Sequence, residues 1–314
     1  MSKTKATSIG LLSVILWSAN VALIRTVTQS LGPIGGAAML YSASAVLLLA
    51  TFGFPKLSTF PRKYLYIASV LFCVYEICFS LSLGFATSGR QTLELGMVNY
   101  LWPSLTIAMA IFFNGQKASI LIVPGMAFAI LGIGLVLGGD GGFSVAEMGR
   151  NILVNPLSYF LAFMGAFLWS VYCTVTSRMA DGKNGVTFFF MLTAAVLWVK
   201  YFASGASTLE LTSKSAMIVI LASAALAFGY AAWNIGILHG NVTVISTASY
   251  FIPILSSVLT SFMVGSSLTF SFWQGCALTS VGSLLCWIST KKGGIPAEVT
   301  AERTISTRKS HVKR

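Results

Sequence analysis

Ten stretches of this chain stay apolar for long enough to cross about 30 Å of hydrocarbon, and they restrict its fold more than any other feature. They cover 8–28, 35–54, 64–88, 93–113, 118–138, 157–179, 186–204, 214–238, 243–264 and 268–289. In hydrocarbon every backbone N–H and C=O needs a partner within the protein, which leaves helices or a closed barrel. Apolar runs of this length, without polar alternation, predict helices. The expected fold class is an all-α polytopic membrane protein with ten transmembrane helices. Only 9% of the 314 residues are charged and 56% are hydrophobic, whereas a soluble domain carries about 25% charged residues.

Charge sets the predicted orientation. With the amino terminus in the cytoplasm, fifteen Lys and Arg fall in inside segments, and five (Arg25, Arg90, Arg150, Lys200 and Lys214) stay outside. This is a positive-inside bias, and an even number of spans returns the carboxyl terminus to the cytoplasm. The net charge of +12 is explained by topology, so no nucleic-acid partner is expected. The basic tail, 291–314, reads as a disordered cytoplasmic extension whose charges suit an anionic lipid surface. The first run, behind Lys3 and Lys5, has the form of a signal peptide. Its Leu16-Trp17-Ser18 returns as Leu168-Trp169-Ser170, so it reads as a retained span.

That recurrence belongs to a larger one. Laid without gaps over 243–286, residues 93–136 match at Tyr100/Tyr250, Pro103/Pro253, Gly115/Gly265, Gly125/Gly275 and Gly132/Gly282, besides several apolar positions. Such self-similarity marks an internal repeat, dividing the chain into 1–140, with spans one to five, and 141–290, with spans six to ten. Five is odd, so the second unit enters the membrane from the opposite side. Two inverted five-helix repeats (5+5) can take two related arrangements, one open to each compartment, which is the basis of alternating access.

Pro103 and Pro253 sit mid-run and cannot donate to the carbonyls of Asn99 and Ser249 four residues earlier. Interrupted helices at matching places point to a transporter's binding site, with the two prolines as hinges; simple packing is the other reading, since Pro is common in membrane helices. Small residues recur at helical spacing in the fifth and tenth runs, as Gly125 with Ala129, Gly134 with Gly138 and Gly275 with Thr279. They suit close helix contact, within one bundle or between subunits of a homo-oligomer.

Among eight acidic residues, only Glu76 lies in the middle of a run. An intramembrane carboxylate is costly and functional by default: it can meet a substrate ammonium, carry a proton, or fix helix contacts through hydrogen bonds. Glu94 follows Arg90 by four residues and reads as a solvated ion pair at a helix mouth. At the depth of Glu76 and the prolines lie Trp17, Tyr75, Phe79, Tyr100, Trp102, Trp169, Tyr172, Tyr230, Trp233 and Tyr250. Rings there would line a cavity for a flat apolar group, with Asn20, Asn99 and Asn234 offering amide donors and acceptors; each ring taken singly fits helix packing as well. The five cysteines, Cys73, Cys78, Cys173, Cys276 and Cys286, read as small buried hydrophobes, and His239 as a helix-end cap before Gly240. With two His and no HExxH, GxSxG or phosphate loop, no catalytic residue, metal or cofactor is assigned.

The Leu16-Trp17-Ser18-Ala19-Asn20 segment, the paired Tyr-x-x-Pro segments and the matched glycines resemble the drug/metabolite transporter superfamily, in its ten-helix members with two EamA-type repeats. Tyr75-Glu76-Ile77-Cys78-Phe79 and the stretch from Gln91 to Pro103 are similar to the aromatic amino acid exporters of that group. The resemblance implies a multi-pass protein of a bacterial inner membrane and a basket-like cavity lined by spans one, three, four, six, eight and nine. It further implies a secondary transporter that exports aromatic, and other neutral, amino acids. By motif position Trp17, Asn20, Tyr75, Glu76, Phe79, Asn99, Tyr100 and Trp102 would line the cavity; Trp169, Tyr172, Tyr230, Trp233, Asn234 and Tyr250 follow by repeat symmetry and depth. Trp102 stands opposite Ile252, and Glu76 opposite Leu226, so the cavity is not expected to be symmetric. Proton coupling is left open by a single central acid. The alternatives are a multidrug exporter of cations, with Glu76 and cation–π contacts as the attraction, and an intramembrane enzyme or receptor.

Overall fold

The computed structural model describes residues 1–115, 117–138, 143–181, 183–205, 209–240 and 242–291, and all described regular structure is helical. The expected disorder of the tail after Lys291 lies outside the described residues. In chain order the helices are α1 (Lys3–Ser18), α2 (Asn20–Leu31), α3 (Pro33–Phe52), α4 (Arg62–Gly84), α5 (Gly89–Asn99), α6 (Trp102–Asn114), α7 (Ile122–Leu137), α8 (Val145–Val154), α9 (Pro156–Met179), α10 (Val186–Ala203), α11 (Ser213–His239), α12 (Val242–Ser249), α13 (Ile252–Val264) and α14 (Phe270–Lys291). Each of the ten apolar runs is helical. Six helical stretches among the described residues are long and apolar enough to cross a membrane, and α1 with α2 forms a further, bent candidate. The molecule is a polytopic helical membrane protein.

Three runs are broken. The runs with a mid-run proline stop one turn early, at Asn99 and Ser249, and restart with Pro103 and Pro253 in the first turn of α6 and α13. Proline is tolerated there because first-turn N–H groups have no helical acceptor. The third break, at Ala19, bends α1 against α2 by 43° without a proline. There Ser18 Oγ donates to Val14 O at 2.6 Å, the side-chain-to-backbone bond that bends helices. The two proline helices also end alike. Gly115 after α6 and Gly265 after α13, equivalent in the repeat, have φ of 64° and 67°, the left-handed cap that glycine adopts without strain.

One expectation needs correction, that for Arg25. The Gly-rich connection after Leu137, which holds none of the ten runs, contains a helix, α8. Ser144 caps it by accepting from Glu147 N at 3.3 Å, and Met148 and Ile152, four apart, pack on the core. Arg25 is not on an outer connection but buried in α2, where Nη1 donates to Leu83 O at 3.0 Å and Gly84 O at 3.1 Å. A guanidinium there satisfies carbonyls at the C-terminus of α4 and complements its dipole.

The largest helix interfaces pair α1 with α11, α4 with α9, α3 with α10 and α7 with α14, one partner from each half of the chain. All four pairs are antiparallel. Gly10 meets Gly236 while Trp17 meets Gly229; Gly35 meets Tyr201 while Tyr41 meets Phe190; Tyr64 approaches Thr176 while Phe79 approaches Gly165. Between α7 and α14 the backbones touch. A Cβ on Gly132 would lie 2.6 Å from Gly275 O, and one on Gly282 would lie 2.6 Å from Gly125 O. The glycines matched in the repeat therefore face one another across this seam, within one molecule.

Because those neighbours are backbone atoms that cannot turn aside, Gly282→Ala should separate α7 from α14 and cost about 1–3 kcal/mol. Thermal unfolding of the purified protein in detergent, followed by tryptophan fluorescence, should show a lower midpoint. Gly149→Ala, where an added Cβ meets nothing within 4 Å, should leave it unchanged or higher. Equal midpoints for Gly282→Ala and the parent chain would show that the seam is not close-packed.

Candidate functional site

The breaks in α1–α2, α5–α6 and α12–α13 adjoin one central cavity of about 50 Å³. Trp17, Asn20 and Ile24 line it from α1–α2, Tyr75, Glu76 and Phe79 from α4, and Asn99, Tyr100 and Trp102 from the α5–α6 break. The second half contributes Trp169 from α9, Leu226 and Tyr230 from α11, and Ile252 from α13. A space of this size holds water but no larger molecule.

Its walls are mostly rings in contact. Trp169 lies 4.8 Å from Tyr75, 5.9 Å from Tyr230 and 6.4 Å from Trp102, centroid to centroid, the last two edge-on. Trp17 meets Tyr230 edge-on at 5.2 Å. Edge-on and offset packing of this kind is the favoured arrangement of aromatic quadrupoles, and a further flat ring could join it. The polar groups are few. Asn99 Nδ2 donates to Ala162 O at 3.4 Å. Gly165 lies beneath that amide, and a Cβ there would come within 3.2 Å of it. Trp17 Nε1 is buried and has no hydrogen-bond partner among the described residues.

Glu76 is 1% exposed, and both of its oxygens are engaged. Tyr41 donates to Oε2 at 2.6 Å and Tyr230 to Oε1 at 2.7 Å, while Tyr41 also bonds Ser80 at 3.0 Å. The acid thus joins α3, α4 and α11. Of the readings open from sequence, the hydrogen-bonded joint matches this geometry. Glu94 requires a correction. It is 3% exposed, with Arg90 Nε at 3.0 Å from Oε1 and the Tyr159 hydroxyl donating to Oε2. Tyr159, on α9, draws the expected solvated pair into a contact between the halves.

Ten of the residues named from sequence therefore meet around one space, and four do not line it. Tyr172 stacks behind Trp169 at 5.1 Å, Trp233 packs behind Trp17 at 5.0 Å, and Tyr250 faces Trp287 at 6.3 Å. Asn234 lines a different cavity. Sequence reasoning overlooked Tyr41, Ile24, Leu226 and Ile252. Tyr41 carried a signal, being the only tyrosine in its apolar run and so an available phenol for a buried acid. Apolar lining residues carry none.

The sequence profile of the EamA-like transporter family matches residues 156–288. The aromatic amino acid exporter YddG of Escherichia coli (strain K12) is 53% identical, over 93% of this chain and 100% of the relative. That of Salmonella typhimurium (strain 14028s / SGSC 2262) is 52% identical over the same shares, and that of Ancylobacter novellus 27% identical over 82% of this chain and 88% of the relative. One solved crystal structure shares the fold, with a TM-score of 0.65 at 22% identity over 93% of this chain and 100% of the other. With two relatives above 50% identity matched along their whole length and the family profile seated on its second half, this chain belongs to the EamA-like transporter family of the drug/metabolite transporter superfamily, in the group of the YddG exporters.

Proposed function

We propose that the chain exports aromatic, and other neutral, amino acids from the cytoplasm across the bacterial inner membrane. Ten spans, arranged as inverted halves 1–140 and 141–290 with both termini cytoplasmic, would open the central cavity to each side in turn. The observation that carries this reading is the ring-lined cavity, walled by both halves at the level of the broken helices. The antiparallel pairing of first-half with second-half helices supports the inverted arrangement. The names of the relatives support the substrate class.

In this reading the substrate ring slots among Tyr75, Trp169 and Tyr230. The ammonium and carboxylate meet the amides of Asn20 and Asn99, and the backbone oxygen that Pro103 leaves without its helical donor. Admission of an amino acid requires the halves to part, because the cavity is far below the ~300 Å³ at which small-molecule sites begin. The breaks before Pro103 and Pro253 serve as hinges, since they bend without losing a helical hydrogen bond. Tyr172 and Trp233 form a second layer that holds Trp169 and Trp17 in place. Glu76 acts as a latch between halves rather than as a proton carrier, so export runs down the amino acid gradient. A carboxylate with both oxygens engaged also offers little to a cationic drug.

Proteoliposomes loaded with labelled phenylalanine, tryptophan or tyrosine should release them faster than protein-free vesicles. Trp169→Ala should raise the half-saturating concentration by about tenfold, the loss of one ring contact worth roughly 1–2 kcal/mol. Flux of a cationic dye without flux of any aromatic amino acid would replace this reading with drug export.

Imposing a pH gradient should not change the rate. Glu76→Gln puts an amide NH₂ where one phenol needs an acceptor, and it should lower stability by about 1–3 kcal/mol while export stays insensitive to the gradient. Gradient-driven accumulation that Glu76→Gln abolishes would make Glu76 the proton carrier.

A further inference from the structure

A second cavity, of about 300 Å³, lies where α3 ends and α10 begins, against the last turns of α11. Its polar lining is Asn184, Thr187, Asn234 and His239; Leu48, Phe52, Val186 and Ile235 supply apolar wall, and among the described residues no Asp, Glu, Lys or Arg lines it. Carboxamides both donate and accept, and a threonine hydroxyl donates. Such a lining can meet the carboxylate and the ammonium of a zwitterion without favouring either net charge. The volume stands at the lower end of small-molecule sites, about 300–1,000 Å³.

On α11 the two cavities are lined by residues one turn apart. Tyr230 lines the central cavity and Asn234, one turn further along α11, lines the second. On α10 the step from Phe190 to Thr187 is likewise about one turn. Beside that step Tyr41, Phe190 and Tyr230 pack on one another, with ring centroids 5.5 Å apart from Tyr41 to Phe190 and 5.3 Å from Phe190 to Tyr230. Glu76 holds both phenols of that layer. The three helices that form the layer, α3, α10 and α11, are the ones that line the second cavity.

We propose that this cavity is a loading site for zwitterionic amino acids with apolar side chains, and that the Tyr41–Phe190–Tyr230 layer is the gate through which they pass to the central cavity. The proposal rests on the export reading above, in which the 53–61 and 180–185 connections face the cytoplasm. Opening then consists of Tyr230 leaving Glu76, which joins the two cavities along one face of α11.

The test is a cysteine at the site. Asn234→Cys, in inside-out and right-side-out vesicles, is treated with a membrane-impermeant thiosulfonate, and phenylalanine flux is measured before and after; the unsubstituted chain treated alike gives the background. The expected result is modification from the cytoplasmic face alone, slowed severalfold by phenylalanine, with loss of most of the flux once the thiol is capped. Thr187→Cys provides the same readout if Asn234→Cys fails to insert. Modification from the outer face, modification from neither face, or undiminished flux after capping overturns the loading site. Absence of phenylalanine flux in the unsubstituted chain overturns the substrate reading instead. Sidedness of labelling needs no substrate, so it still decides whether the cavity opens to the cytoplasm.

Discussion

Within a bilayer the loose backbone groups of a broken helix have nowhere to go except against protein or enclosed water. Three breaks in this chain therefore dictate where its remaining helices stand. Trp17 and Asn20 flank the first, Asn99, Tyr100 and Trp102 the second, and Ile252 the third, and all of them face the same space. The long unbroken helices α4, α9 and α11 close around it. Their rings fill most of the gap, beside Leu226 of α11, because tyrosine and tryptophan bring apolar bulk together with a polar edge.

Buried charge follows the same logic. A carboxylate taken out of water is costly unless its oxygens are bonded, and each buried acid here solves this with a tyrosine from the other half of the chain. Glu76 on α4 meets Tyr230 on α11, and Glu94 on α5 meets Tyr159 on α9. The two acids are thereby joints across the halves. Relative movement of the halves works against bonds that would leave a buried oxygen unpaired.

The proline breaks were legible in the sequence because a missing N–H has a fixed consequence wherever it falls. The break at Ala19 was not, since Ser18 bends its helix through a side-chain bond that many membrane serines could form. Repeat symmetry and depth brought Trp169 and Tyr230 to the cavity. They misplaced Tyr172, Trp233, Asn234 and Tyr250, because depth fixes a residue's height in a helix but not the direction in which it points. Glu94 was read as solvated because its i,i+4 partner is local, while Tyr159 is 65 residues away. The α8 helix was hidden in a glycine-rich connection whose short amphipathic turn is too brief to register as a span.

The glycine seam between α7 and α14 has a mechanical consequence. Two helices whose backbones touch resist sliding, since each glycine sits under a carbonyl of its neighbour, and they part only by giving up the contact along its whole length. The fifth and tenth runs are thus suited to serve as an axle. In the proposed export cycle a few degrees of turn at that seam would become ångströms of displacement farther across the bundle, and the leverage for widening a narrow passage would come from helices that do not line it.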